Sequence, residues 1–216
     1  MRMTRLFVAG IFTAALFPVT ASAQRVRDFE DSWFWGVKGG AATYSAVYGD
    51  SKAAATFGAE WLITRTHGAL YVSVDQANIK AISYVFDPTA EFSARAVQVE
   101  KLRRVGFAAL AFPKRFGRFR PYAGLGLSIN LIGDAFPLVT ENETDVEDGV
   151  YDRIDDRKSQ ASFLAMGGAQ AQFGRAAVFG QVQFIPANNH FLLDENLAFF
   201  EAGIRYNFGR AREGIR

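Results

Sequence analysis

From Leu197 to Phe208 the chain reads LAFFEAGIRYNF, and from Phe200 onward its character changes at every residue. Phe200, Ala202, Ile204, Tyr206 and Phe208 fall on one side, and Glu201, Gly203, Arg205 and Asn207 on the other. Successive side chains of a strand point to opposite faces, so this segment is a two-faced strand. The polar face holds two full charges, which a dry core does not accept unpaired. The apolar face then needs a different apolar partner, and lipid is the simplest one.

The same alternation recurs along the chain. Strands are expected over Trp33 to Thr43, about Ala55 to Thr64, from Ala69 towards Tyr84, and over a fourth segment ending in Val105 to Phe112. They continue over Arg120 to Ile132, Ser162 to Phe173, a segment carrying Val178 to Phe184, and the final Leu197 to Phe208. The fifth is the clearest: Ala123, Leu125, Leu127, Ile129 and Leu131 face away from Tyr122, Gly124, Gly126, Ser128 and Asn130. Asp87-Pro88 marks a turn, since proline cannot donate to a ladder. Connections after strands two, four and six are short, and those after one, three, five and seven are longer. That contrast is the one between periplasmic turns and outer loops of outer-membrane barrels. The expected fold is all-β: an eight-stranded antiparallel up-and-down transmembrane β-barrel, whose interior side chains just fill.

At the front, Arg2 and Arg5 precede an apolar run from Leu6 to Phe17, and Ala21-Ser22-Ala23 fits a small-residue cleavage site. Residues 1–23 are therefore expected to be a cleaved signal peptide, with Gln24 the first mature residue. The run is too short for a spanning helix, which needs about 20 residues. Residues 24–32 are a charged, flexible lead-in, 33–208 the barrel and 209–216 a tail. The chain has 24 Lys+Arg and 22 Asp+Glu; without Arg2 and Arg5 the counts are 22 and 22. A neutral mature chain argues for no nucleic-acid partner. Cysteine is absent, which excludes disulfides, thiolate metal sites and an N-terminal lipid anchor on cysteine.

A soluble, lipocalin-type barrel buries its apolar face and shows water its polar one. Here the polar face is mostly Gly, Ser, Gln and Asn, too small and uncharged to coat eight strands, while the other is aliphatic and aromatic with almost no charge. In lipid such a face can stay unbroken, because closure satisfies every backbone group.

The stretch RPYAGLGLSINLIG after the basic turn PKRFGR, and the ending AGIRYNF, resemble the small OmpA-like or opacity-type outer-membrane protein β-barrel domain family, also called porin-family proteins. The resemblance implies that Tyr206 and Phe208, in a final Tyr-x-Phe, form the signal read by the barrel insertion machinery. In this chain Gly209 to Arg216 follow, where the family usually stops on the phenylalanine. It also implies contact with outer-membrane lipid and lipopolysaccharide, surface or host ligands held by outer loops, and no cofactor. Too few residues follow Phe208 for the peptidoglycan-binding domain of long OmpA-type proteins.

Candidate sites follow from the polar face. Glu60, Asp75, Glu201 and Arg205, with Arg104 if the phase of the fourth strand holds, are expected to form a lumen charge network that plugs the barrel, because buried charges must find partners. His190, Phe191, Leu192 and Leu193 are the outer-loop residues expected to meet a partner or the membrane rim. No catalytic, cofactor or metal residues are assigned. His67 lies in a turn, and His190 lacks the His-x-Ser spacing of lipid A deacylase barrels, since Leu192 stands there. The acidic loop from Gly133 to Lys158 does not match an EF-hand. The reading is a non-enzymatic outer-membrane barrel serving envelope integrity or surface interactions, with a lipid A-modifying enzyme and a small passive channel as the alternatives.

Overall fold

Strands that alternate along their whole length need a partner on both edges, and closing the sheet supplies it. The computed structural model of the protein describes residues 29, 31–45, 51–89, 93–139, 146, 148–186, 190–193 and 196–210. Eight strands pair in sequence order into a closed barrel: β1 (Ser32–Ser45), β2 (Ser51–Thr64), β3 (Gly68–Phe86), β4 (Ala94–Ala111), β5 (Phe119–Pro137), β6 (Ser159–Phe173), β7 (Ala176–Ile185) and β8 (Leu197–Arg210). Neighbours are antiparallel, and β8 returns to pair with β1, for example Gly36 with Arg205.

The register decides what faces where. Leu125, Leu127, Ile129 and Leu131 are 40–60% exposed on the outside of the sheet, whereas Ser128 and Asn130 between them are 0–1% exposed within it. In β8, Phe200 and Ile204 point out and Glu201 and Arg205 point in. The barrel thus wears an apolar coat over a partly charged interior, the reverse of a water-soluble protein. Aromatic rings crowd one end of this coat: Trp35 stacks on Trp61 at 5.7 Å, and Tyr206 meets Phe208 edge-on at 5.2 Å. Such a belt is the habit of an aromatic girdle at a membrane interface.

Several boundaries differ from the sequence reading. β3, β4 and β5 have 19, 18 and 19 residues, where a tilted transmembrane strand needs about 9–11. They outrun the neighbouring strands and pair with one another alone in a three-stranded blade. The loop expected from Gly133 to Lys158 begins later, after Pro137, and contains a helix, α1 (Asp148–Asp156). Val150 and Ile154 lie four apart on one face of it and are buried, and that burial selects the helix in an otherwise acidic run. The contrast of turn lengths is also softer than expected, for residues 112–118 link β4 to β5 and residues 87–93 link β3 to β4. Ser32 belongs to β1, and Phe29, in the lead-in expected to be flexible, is fully buried. Its ring sits 4.8 Å from Phe112 and 5.6 Å from Phe34, and the Thr64 hydroxyl donates to its carbonyl. The expected signal peptide, Glu141, Glu143, Asp145 and Glu147 of the acidic loop, and the tail beyond residue 210 lie outside the described residues.

The interior is layered. Phe29, Phe34, Leu62, Leu110 and Phe112 fill the end bearing the short turns. Ile79, Val97, Val99, Ile132, Ile154 and Leu192 are among the residues filling the end bearing α1. Between these apolar layers lies a band of charge.

Candidate functional site

The central band takes side chains from all eight strands: Lys38, Glu60, Tyr71, Asp75, Arg104, Tyr122, Gln170, Gln181, Gln183, Glu201 and Arg205 are all buried. Three cations (Lys38, Arg104, Arg205) balance three carboxylates (Glu60, Asp75, Glu201). Balance matters, because desolvating an unpaired ion costs several kcal/mol, on the order of what holds a small domain together.

Two groups of ions form. In the first, Lys38 Nζ lies 2.7 Å from Glu201 Oε2 and 2.8 Å from Asp75 Oδ1, and donates to the Tyr71 hydroxyl at 3.0 Å. Arg104 Nη2 reaches Asp75 Oδ2 at 2.6 Å and lies 3.6 Å from Glu201 Oε1. Gln181 and Gln183 donate to Glu201 at 3.0 and 2.9 Å. In the second group Arg205 Nε donates to Glu60, its Nη1 to Gln170 at 2.6 Å, and its Nη2 to Gln181 Oε1 at 3.3 Å. Gln181 joins the two groups. Each arginine also lies flat on an aromatic ring, Arg104 on Phe199 and Arg205 on Phe179, both at 3.8 Å. Stacking suits the weakly hydrated guanidinium, so these rings help replace lost water.

Glycines set the geometry. Gly58 of β2 is the register partner of both Lys38 and Asp75, and those ions meet over it. A Cβ there would collide with the Asp75 carboxylate and the Val74 carbonyl. Some polar atoms stay without a hydrogen bond, among them Glu60 Oε2 and Arg104 Nη1. Asp75 Oδ1 makes its 2.8 Å ion pair with Lys38 without a directed hydrogen bond.

All five sequence-derived lumen residues are buried in this band, and their pairing is set by register. Glu201 engages Lys38 and Arg104 rather than Arg205, which Glu60 takes. Arg104 reaches the interior through an irregularity. Val97 and Val99 point inward, yet so do Leu102 and Arg104, because Lys101 adopts a positive φ of 58° where the pairing with β3 shifts. A bulge of this kind switches the face of everything after it. Lys38 was missed, although it shares the parity of Gly36 and Gly40 and opposes Trp35 and Val37, the mark of an inward position.

Three of the four outer-loop residues are buried where exposure was expected. Phe191, Leu192 and Leu193 are 3%, 1% and 8% exposed and packed into the core at the end of the barrel bearing α1. Apolar side chains that can reach a core bury there instead of meeting water. Arg157 ties this cap, donating to the carbonyls of Tyr84 and Phe191, each at 3.1 Å, while its own carbonyl accepts from Leu192 N at 3.1 Å. Asp87 and Arg95 form a buried ion pair beside it. Hydrogen bonds from Thr89 and Arg95 pull the Asp87 carboxyl down to about 2. His190 is exposed on the cap and His67 in the turn at the far end. Tyr206 and Phe208 face outward near the β8 terminus. Among the described residues no cluster of His, Asp and Glu is arranged to hold a metal ion.

No family model and no curated protein matches the sequence. Solved structures do match. The fold is similar to that of solved outer-membrane barrels. Neisserial surface protein A (NspA) superposes with a TM-score of 0.55 at 12% identity, covering 82% of this chain and 97% of its own. Ail, the attachment invasion locus protein of Yersinia pestis, superposes at 0.50 and 11% identity, covering 83% of this chain and 99% of its own. In complex with the heparin analogue sucrose octasulfate it gives 0.51, with the same identity and coverage.

Proposed function

We propose that this protein is a non-enzymatic barrel of the bacterial outer membrane that stiffens the envelope and presents an outer blade and loops to surface ligands. The observation that carries the reading is the inversion of polarity: a largely apolar coat surrounds a neutralised charge network that is capped by apolar layers at both ends. A lumen filled this way resists the passage of ions, so the network acts as a plug and not as a conduit. Tyr206 and Phe208 serve the insertion machinery, and residues 1–23 direct export. The surface role is supported by the projection of β3–β5 beyond the coat, with Ile82, Phe86 and Phe136 exposed near its end and Lys80, Lys101 and Arg103 below them. Those cations lie where lipopolysaccharide phosphates or a polyanionic ligand approach.

The test expresses the full chain in a Gram-negative host. The expected results are an outer-membrane fraction whose unboiled protein migrates faster than the boiled one, and surface binding of labelled heparin that falls in Lys101→Gln/Arg103→Gln. An inner-membrane or soluble protein would overturn the location. Heparin binding no higher than in the empty host would overturn the polyanion part alone.

A further inference from the structure

The end of the barrel bearing the short turns carries a feature that plugging and surface display leave unused. A cleft of about 260 Å³ opens between the β2–β3 and β4–β5 turns, lined by His67, Lys114, Arg115 and Arg120 with Thr66 at its side. Its floor is Phe112, packed on the buried Phe29, and the Arg120 guanidinium lies 4.2 Å from the Phe29 ring. Phe112 N donates to the His67 carbonyl at 2.9 Å, so the two turns are joined and the cleft stands ready-made. The β4–β5 turn is itself ordered: Arg115 Nε donates to the Gly117 carbonyl at 2.6 Å, Gly117 supplies a φ of +61°, and Phe116 bridges to Phe119.

Charge and position together say what this cleft fits. No carboxylate lines it, and Asp31, the acidic residue described at this end, is engaged by Arg65 at 3.1 Å. Phe116 and Phe119 are 59% and 60% exposed, and beside them Arg118 lies 5.6 Å from the ring of Phe173. Exposed rings at the margin of an apolar coat sit among acyl chains and glycerol, with adjacent Lys and Arg at the depth of the phosphates. We propose that the cleft and the PKRFGR turn form a binding site for the headgroup of an anionic phospholipid in the inner leaflet of the outer membrane. The phosphodiester meets His67, Lys114 and Arg115 in the cleft, and Phe116 and Phe119 hold the turn against the first methylenes. The proposal rests on the outer-membrane orientation given above.

Native mass spectrometry of the full chain, released from detergent with phosphatidylglycerol or with phosphatidylcholine of matched chains, tests it. Wild type should retain phosphatidylglycerol preferentially, and Lys114→Gln/Arg118→Gln should lower that retention roughly twenty-five-fold, at about fivefold per cation. This variant spares the Arg115–Gly117 bond, so the turn keeps its shape, and its gel shift checks folding. Lys158→Gln, beside α1 at the opposite end of the barrel, should change nothing. Equal retention of both lipids, an unaffected variant, or displacement by millimolar inorganic phosphate would overturn the site. A wild-type chain without the heat-dependent gel shift removes the barrel reading with it, whereas lost selectivity in a folded barrel removes this site alone.

Discussion

Glu60 on β2 and Arg205 on β8 are two strands apart, and they meet across Gly36 of β1, the register partner of both. A Cβ at residue 36 would lie 2.9 Å from the Ile204 carbonyl oxygen, 3.0 Å from Arg205 Cγ and 3.1 Å from Glu60 Cγ. Glycine is what lets the ion pair close over the intervening strand. Tyr122 and Gln181 repeat the arrangement across Gly168, with a 3.0 Å hydrogen bond. The network is therefore held as much by missing side chains as by charged ones.

Gly36→Val should destabilise the barrel by about 1–3 kcal/mol through overpacking. Arg205→Ala should cost more, about 3–5 kcal/mol, because Glu60 is then buried without its cation. Glu60→Gln/Arg205→Met, which removes both charges, should recover much of that loss. Urea midpoints of protein folded into lipid vesicles give the order, and an Arg205→Ala protein as stable as wild type contradicts it.

The plug makes a second prediction for Arg205. In planar bilayers the wild-type protein should show few current steps, and Arg205→Ala should show frequent ones. Identical traces would mean that the charge network does not hold the lumen shut.

The apolar coat predicts opposite outcomes for a charged and an apolar substitution at one outward position. Ile129 is 41% exposed on the outside and Asn130 is 1% exposed inside. Ile129→Arg should lower stability in lipid by about 2–4 kcal/mol if it lies near the bilayer centre. Ile129→Leu should be close to neutral, and reconstitution followed by urea titration compares the two.

The cap should loosen in acid. The Asp87 carboxyl titrates at about 2 in the folded protein against 3.8 ordinarily, so its contribution is complete above about pH 4 and is lost as pH falls through about 2. Hydrogen exchange of residues 86–89 and 93–96 should therefore quicken between pH 4 and pH 2. In Asp87→Asn it should already be fast at pH 6 and respond little to acid.

Arg157→Ala removes hydrogen bonds to Tyr84 and Phe191 that hold the cap across three segments. Protease cleavage at residues 190–193 should rise severalfold while the gel shift of the barrel stays unchanged. A simultaneous loss of that shift would mean that cap and barrel unfold as one unit.

The outline of this molecule was readable before any coordinates, because alternation in a strand is a local property. The parity of Leu125 to Leu131 names the outward face without reference to any other strand, and so do Glu201 and Arg205 for the inward one. Parity does not survive an extra residue, and nothing local in EKLRRV announces that Lys101 takes a positive φ. Arg103 and Arg104 exchange roles there only because the shift in pairing with β3 demands it.

Which ion answers which is a matter of register between strands far apart in the chain. Glu201 is four residues from Arg205, yet Lys38, 163 residues away, is its partner. The burial of Phe191 to Leu193 has the same origin, since an apolar trio in a loop means exposure until a mouth of matching shape lies beneath it. Composition and alternation were enough for a barrel that turns its oil outward, for they act residue by residue. The closed interior, with its pairings, its glycine gaps and its cap, came only from the fold, because those contacts exist only once the first strand has met the eighth.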